Sequence, residues 1–551
     1  MDAQPTLAPH YYLDNFIKLT SHAQRWYSDL LHEDEQAWLA RFNTQSRDAQ
    51  CLLVRLLSRK GEWFRSDKLH YPEISSITEA LSTLEQHGFI RINGPIDKQT
   101  LAASLLTKPE IVALFSPLNK QQKKEALVAK LPREPFLTPS ALDFDWIKLE
   151  HGGMLDLLLT LFFANTHQDL SQFVLDDLGL HRYEPYPLSR ERRFFPIRDD
   201  VDSLLQLSQL SEQYQQGDRK CAFTLVTLAD QIPTSHTHPY VERKRQHLIN
   251  DIARDLERVQ RLERVQRLDD ALTLYQQTEL PPTRERQARI LDKLNRDFSD
   301  VVTQMLHTPR DQAEYEVALK LQQRLKRKQG ERVPRAQKPA HDVMHVALDL
   351  SRERVELAVK AHLEAQGWQV YFCENALLNG LFGLAFWPVI FAPVEGAFIN
   401  AYQYRPLDLY HSDFASKRRE EIEHVMQALQ GRDWSALLTT YRDKYATNNA
   451  FVQWSLLDEA LLSLALNTIP TPTLIALFRI LLSDLELYRN GQPDLIAFKE
   501  GQYRWIEVKG PGDKLQDNQW RWIEHFKRLE VPFSVCYVTH QTEPNSSENA
   551  H

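Results

Sequence analysis

The sequence is sparing with cysteine. Four thiols in 551 residues, Cys51, Cys221, Cys373 and Cys536, lie too far apart to make a zinc-ligand pair or a disulfide framework. That spacing excludes a structural zinc module and fits buried thiols in a reducing compartment. The opening MDAQPTLAPHYYLDNF lacks the basic start and continuous apolar stretch of a secretion signal, so the protein is expected to stay in the cytoplasm, on the nucleoid when it is bound to DNA. An uninterrupted bilayer-length apolar run is missing too. The longest candidate, LLNGLFGLAFWPVIFAPV from Leu377 to Val394, is broken by Asn379 and by glycines and proline near its middle, and reads as a buried helix and its exit rather than a membrane segment. Nor is there an overall basic charge. With a formal net charge of −8, any attraction for nucleic acid has to come from local patches.

What is present is enough for several cores. At 42% hydrophobic and 25% charged residues the composition is that of a globular protein, and the length calls for more than one domain. Residues 1–100 read as a helical, winged-helix-like DNA-binding domain. Leu52, Leu53, Leu56 and Leu57 recur at helical spacing, as do Ile77, Leu81 and Leu84, before Gly88 ends the helix and Phe89–Ile92 make a short strand. Arg55, Arg59, Lys60 and Arg65 are candidates for its phosphate-facing surface, the alternative being ordinary solvation. Residues 101–145 read as a small helical segment with Lys120, Lys123 and Lys124 between short helices, again a candidate DNA contact. Residues 146–335 read as paired amphipathic helices, an array suited to clasping a protein or holding a duplex. Its six-residue duplication LERVQR, at 256–261 and 262–267, fits no repeat period and is taken as local to one helix. The array ends in a basic stretch from Lys320 to Lys338 with eight Lys/Arg against Glu331, either a nucleic-acid patch or a solvated helix end running into a linker.

From 336 to 551 the pattern turns mixed. A helix is expected from Ala347 to Gln366, then the strand-like WQVYFCE, a buried helix, further helices, and a closing strand, turn, strand, helix, strand. The sheet is therefore assembled from both sides of a helical insertion. Arg418 and Arg419, in FASKRREEIEH, are candidate contacts to a DNA backbone, or else part of a surface network with Glu420, Glu421 and Glu423. The fold class overall is multidomain and predominantly α-helical with a C-terminal α/β domain.

The chemistry concentrates in GQPDLIAFKEGQYRWIEVKGPGD, residues 491–513. Leu495–Phe498 and Tyr503–Val508 flank a turn at Gly501, so the two strands pair. Alternation puts Glu507 and Lys509 on one face, with Ile506 and Val508 on the other. Asp494 then comes to lie beside Glu507 across the hairpin. Two adjacent carboxylates repel unless a divalent cation reverses the sign, and hard Mg²⁺ takes carboxylate, water and phosphate oxygens. An ammonium two residues away can orient a water or stabilise charge building on phosphorus. The set therefore points to phosphodiester hydrolysis. The competing reading is a salt-bridged Glu–Lys pair at a strand edge.

The string GQPDLI…WIEVKGPGDKLQDNQ…W resembles the VRR-type module of the PD-(D/E)xK nucleases. The order of the whole chain, with RKGEWFR, CENALLNGLFGLAFWPVIF and PLDLYHSDF, resembles the Fanconi-associated nuclease family in its shorter, bacterial-type form. The resemblance implies that residues 101–145 are SAP-like, that 146–335 form a TPR-like repeat, and that 336–551 are a restriction-endonuclease-like PD-(D/E)xK nuclease domain with a helical insertion. It implies that Asp494, Glu507 and Glu374 hold Mg²⁺ or Mn²⁺, with the Val508 carbonyl as a further ligand and Glu395 as a rival to Glu374. Lys509 is then the ammonium beside the attacking water, and Gln519 lies near the scissile phosphate. It also implies a 5′-flap endonuclease and 5′–3′ exonuclease acting on flapped, branched or nicked duplex DNA in interstrand-crosslink repair. The ubiquitin-binding zinc finger of eukaryotic members has no counterpart among these cysteines. The alternative function is a DNA-repair scaffold whose nuclease domain has degenerated.

Overall fold

The computed structural model describes residues 8–115, 117–168, 173, 181–259, 264–334, 338–351, 353–432 and 434–540. The chain divides into two compact units, Met1–Leu180 with Ser189–Gln209, and His181–Leu188 with Leu210–His551.

In the first unit, helices Tyr11–Tyr27, Glu33–Asn43, Arg47–Leu57 and Ile77–Gln86 precede and flank a small sheet. Ser46 starts the third helix by accepting the Ala49 N–H, and Ser76 starts the fourth by accepting the Glu79 N–H. Most of the expected apolar positions face inward: Leu52, Leu53, Leu56, Leu57, Leu81 and Leu84 are buried, and Ile77 is half-buried. Trp38 stacks on Phe42 and meets Phe89 edge-on, closing the core beneath them. The sheet has three short strands, β1 (Trp63–Arg65), β2 (Ile90–Ile92) and β3 (Trp146–Leu149), in the order β1-β3-β2, all antiparallel. The central strand therefore arrives from beyond residue 145. A division between 145 and 146 would detach it, because the helices Lys98–Ser104, Lys108–Leu114 and Lys124–Val128 form a loop of chain whose own core, around Leu101, Ile111 and Leu127, also takes in Trp146.

The second unit begins with helical hairpins, among them Pro239–Leu256, Arg264–Tyr275, Thr283–Lys293, Ser299–His307 and Gln312–Lys328. The LERVQR duplication does not sit within one helix. Pro239–Leu256 stops at its first residue, with Glu257 as the cap, and part of the duplication lies outside the described residues. Of the basic stretch, Arg324 and Lys328 are paired with Asp292 and Lys320 with Asp517, while residues 335–337 lie outside the described residues.

The nuclease-like part is a five-stranded mixed sheet ordered β4-β8-β7-β6-β5: β4 (Asp342–Leu348), β5 (Gln369–Phe372), β6 (Leu495–Lys499), β7 (Gln502–Lys509) and β8 (Phe533–His540). β5–β6 and β6–β7 run antiparallel, β7–β8 and β4–β8 parallel. Two strands come from before the helical insertion and three from after it. The helix expected from Ala347 begins at Val355 instead, and Ala347 belongs to β4. As an edge strand with Asp342, Val343, His345 and Ala347 exposed, β4 carries no buried run to betray it. Both faces of the sheet are covered. Leu495, Ala497, Ile506 and Val508 pack toward the helix Val355–Ala365, while Ile496, Phe498, Trp505 and Val535 pack toward Leu377–Ala385 and Asp517–Arg528.

The run Leu377–Val394 is buried as the helices Leu377–Ala385 and Trp387–Ile390. Among the described residues no single helix is long and apolar enough to cross a membrane. The pair Glu459–Thr468 and Thr471–Ser483, apolar enough together, is bent by 110° and packs into the same core.

Candidate active site

The hairpin register pairs Leu495 with Ile506, which sets Asp494 opposite Glu507 where β6 begins. Three segments build the site from there. β5 ends at Phe372, and the Cys373 N–H continues its ladder by donating to the Asp494 carbonyl at 2.8 Å. That brings Glu374, the next residue, to the head of β6. β7 supplies Glu507 and Lys509 on the face that Trp505 also occupies. The helix Asp517–Arg528 lies across the turn before Asp494. Gly491 is in the left-handed region at φ +81°, and a Cβ there would stand 2.8 Å from Asn518, so only glycine permits the approach.

Within the site Asp494, Glu507 and Lys509 are all buried. The Val508 N–H donates to Asp494 Oδ2 at 2.7 Å, fixing that carboxylate. Lys509 Nζ donates to Glu507 Oε1 at 2.7 Å, and Gln519 Nε2 donates to the same oxygen. Gln519 is itself held, its Oε1 accepting the Gln516 N–H at 2.9 Å in a capping box. Glu374 is exposed at the mouth, with its Oε1 within 3.3 Å of Asn375 Nδ2. Burial pushes the Asp494 carboxyl up to about 6; the Val508 amide opposes the rise and the charge of Glu374 adds to it. Burial pushes Glu507 up to about 8, helped by Asp494 and opposed by Lys509. Glu374 adds to the rise at Glu507 as well.

The donor set carries more acid than base. Glu374 and Glu356, the latter in the first turn of the helix Val355–Ala365, both raise Asp494. The Lys509 ammonium offsets them only in part. Among the described residues no three His, Cys, Asp or Glu side chains are already closed around one point. Mg²⁺ does not require that, because it keeps several waters and takes one or two carboxylates plus phosphate oxygens. The residues fit a hard divalent ion.

The other sequence candidates fall into two groups. Arg418 is withdrawn from DNA: it is fully buried, forked onto Asp408 at 2.8 and 2.9 Å with Phe414 under its guanidinium. Its companion Arg419 is 80% exposed and pairs with Glu423. Arg55 lies over the Tyr12 ring and donates to Glu73, and Arg65 is bound by both Asp67 and Glu110. Arg59, Lys60, Lys120 and Lys123 are exposed, and Lys124 donates to the Ala103 carbonyl. Glu395 is exposed in a turn after the helix Trp387–Ile390, and it is Glu374 whose charge reaches Asp494 and Glu507. Glu356 was missed. The only sign of it in the sequence is an acid at a helix N-terminus, too common to single out.

Two family models match the chain: FAN1, HTH domain, over residues 10–91, and VRR-NUC domain over residues 430–540. The Fanconi-associated nuclease 1 homolog of Pseudomonas aeruginosa is 35% identical, covering 96% of each chain. The homolog of Arabidopsis thaliana is 25% identical over 95% of this chain and 66% of its own length, and Fanconi-associated nuclease 1 of Homo sapiens 24% identical over 96% and 62%. The crystal structure of paFAN1 bound to 2-nt 5′-flap DNA with a gap superposes with a TM-score of 0.84 at 34% identity, covering 98% of this chain and all of that one. A VRR-NUC nuclease depends on a divalent metal ion, in keeping with the acids gathered at Asp494. Matched along nearly its whole length in sequence and in fold, the chain belongs to the Fanconi-associated nuclease family and is a structure-specific DNA nuclease.

Proposed function

We propose that the chain cuts 5′-flapped, branched or nicked duplex DNA, and degrades it 5′ to 3′, through Asp494, Glu507, Lys509 and Glu374 with Mg²⁺ or Mn²⁺. The observation that carries this reading is the surplus of carboxylate over ammonium where β6, β7 and the β5 exit converge, with Asp494 and Glu507 both pushed upward. Asp494, Glu507, Glu374 and the Val508 carbonyl are the residues to hold the ion. When bound, it supplies charge neutralisation at the phosphodiester and acidifies a water. The side chains do the rest. Asp494, its Oδ2 held by the Val508 amide, keeps a single carboxylate orientation toward the ion. Lys509, held on Glu507, presents N–H groups to the incoming water or to a non-bridging oxygen as negative charge builds there. Gln519 keeps Glu507 from rotating and lies near the scissile phosphate. Phosphate grip comes from basic side chains elsewhere, with Arg59, Lys60, Lys120, Lys123 and Arg419 the exposed candidates.

Support for the substrate comes from the flap-bound paFAN1 structure, and for a role in interstrand-crosslink repair in the cytoplasm from the family. The domain scheme that goes with it is a winged-helix-like grip, a SAP-like segment, a TPR-like array and a VRR-type nuclease. A scaffold with a degenerate nuclease is disfavoured because degeneration would remove Asp494, Glu507 or Lys509 first, and all three are in place. The test is a labelled 5′-flap duplex incubated with Mg²⁺ or Mn²⁺. The wild-type chain is expected to release the flap. Asp494→Ala and Glu507→Ala are expected to lose at least about 10³-fold in rate and to keep their affinity for the flap. Equal loss of binding and cutting, or no cleavage by the wild type with either ion, would refute the proposal.

A further inference from the structure

Beside the carboxylates lies a second set of polar side chains, buried where apolar ones would pack. Asn379 and Gln492 are 5% and 2% exposed. Asn379 sits in the otherwise apolar helix LLNGLFGLA, Gln492 in the turn two residues before Asp494. Their amides interlock: Gln492 Nε2 donates to Asn379 Oδ1 at 2.8 Å and to the Tyr488 carbonyl at 3.2 Å. Asn379 Nδ2 donates to the carbonyls of Asn375 and Arg489, both at 2.8 Å. Asn375 closes the loop, its Oδ1 accepting the Gln492 N–H at 3.0 Å while its Nδ2 approaches Glu374 Oε1 at 3.3 Å. The chain thus runs from Glu374 to the turn that carries Asp494 through amide groups alone.

Stability by itself does not account for the arrangement. Gln492 Oε1 is buried with no partner among the described residues, a cost that leucine would avoid. Asn375 is held at φ +49°, a left-handed conformation that asparagine tolerates at some expense. The helix Leu377–Ala385 begins with no side-chain cap, and the loop bearing Glu374 is held from two sides, by Asn379 of that helix and by the Gln492 turn. Each feature spends stability on a fixed relation between the same two segments.

We propose that Asn375, Asn379 and Gln492 are positioning residues, an amide bracket that sets the Glu374 carboxylate relative to Asp494 and thereby the affinity of the pair for the divalent ion. This rests on the reading of Glu374 and Asp494 as metal-holding residues. Partners of this kind around metal-holding side chains are worth about 10- to 100-fold in metal affinity. The bracket acts through Glu374, so its effect disappears when that carboxylate is removed.

The experiment measures Mn²⁺ binding to the full chain without DNA, from the paramagnetic resonance signal of the free ion. The variants are Asn375→Gly and Gln492→Leu, each in the wild-type and the Glu374→Gln background. Glycine adopts the left-handed backbone of residue 375 without strain, so Asn375→Gly keeps the test intact even if Gln492→Leu fails to fold. The expected result is a loss of about 10-fold or more in Mn²⁺ affinity for Asn375→Gly, measured well below its melting temperature, and little further loss in the Glu374→Gln background. The same fold-loss in both backgrounds, or unchanged affinity, overturns the bracket alone. A wild-type chain that binds no Mn²⁺ overturns the metal-site reading and the bracket with it.

Discussion

In the N-terminal unit, the arginines singled out for DNA that are partly buried each rest on acid: Arg55 on Glu73, Arg65 on Asp67 and Glu110. In the C-terminal sheet the proportions reverse, with Asp494, Glu507, Glu374 and Glu356 sharing the neighbourhood of Lys509. Both regions bury charge, and around Asp494 the acids raise Asp494 and Glu507 against the opposing Lys509. Desolvating a charge is costly, so a balanced pair reads as structure and an unbalanced cluster as a place that waits for a ligand. Arg418 shows that the rule does not depend on location. It lies in the same C-terminal unit, fully buried and balanced by Asp408, and is structural.

The comparison can be broken or sharpened at four points. The largest effect is expected at Lys509, the compensating charge itself: Lys509→Ala should slow cleavage by about 10²- to 10³-fold with Mn²⁺ binding retained. Unchanged turnover in a single-turnover assay would remove the ammonium from the mechanism. Next comes the balanced pair of the same unit. Arg418→Met strands Asp408 in a dry site and should cost about 3–5 kcal/mol, read as a lowered denaturation midpoint; a midpoint unchanged from wild type would mean that the pair is not structural.

A third expectation concerns a buried titratable group that the fold keeps neutral. Burial holds the His22 imidazole down at about 4 from its ordinary 6.5, so the folded chain binds fewer protons than the unfolded one between those values. Stability is therefore full above about pH 6.5 and falls as pH drops toward 4, by about 2 kcal/mol between pH 7 and pH 5 from this group. Denaturant melts at both pH values should show that share of the slope missing in His22→Leu, and an identical slope would exclude His22 as its source. The smallest effect belongs to the neutralised arginines. Arg55→Ala and Arg65→Ala should leave flap affinity within about 2-fold and its salt dependence unaltered, whereas Lys60→Ala should lower the slope of log affinity against log salt by about one. Large losses at Arg55 or Arg65 in that titration would show that their acids release them to DNA.

Much of the Asp494–Lys509 hairpin is legible in the chain because period-two alternation, a glycine turn and buried neighbours all act within twenty residues. Ile506 and Val508 alternate with Glu507 and Lys509 as the pleat demands, and Gly501 takes the positive φ of the turn. What escaped depends on distant partners. β3 is four residues whose only reason to be a strand is the pair of strands more than fifty residues upstream, and β4 is an exposed edge that looks like the start of a helix. Arg418 and Arg419 are alike as letters, and the fold buries one completely while leaving the other in water. Asn379 and Gln492 lie more than a hundred residues apart, and no local pattern says that their amides meet. Glu374 was placed by family resemblance and Glu356 by the fold alone.

The account turns on the acids around Asp494 being a cation site and not an accident of packing. Anomalous diffraction from crystals of the wild-type chain soaked in Mn²⁺ examines that directly. The expected result is a strong peak at coordination distance, about 2.0–2.2 Å, from Asp494 with Glu507 or Glu374 sharing it. A saturated soak with no peak at Asp494, or with peaks only at surface carboxylates, would contradict it.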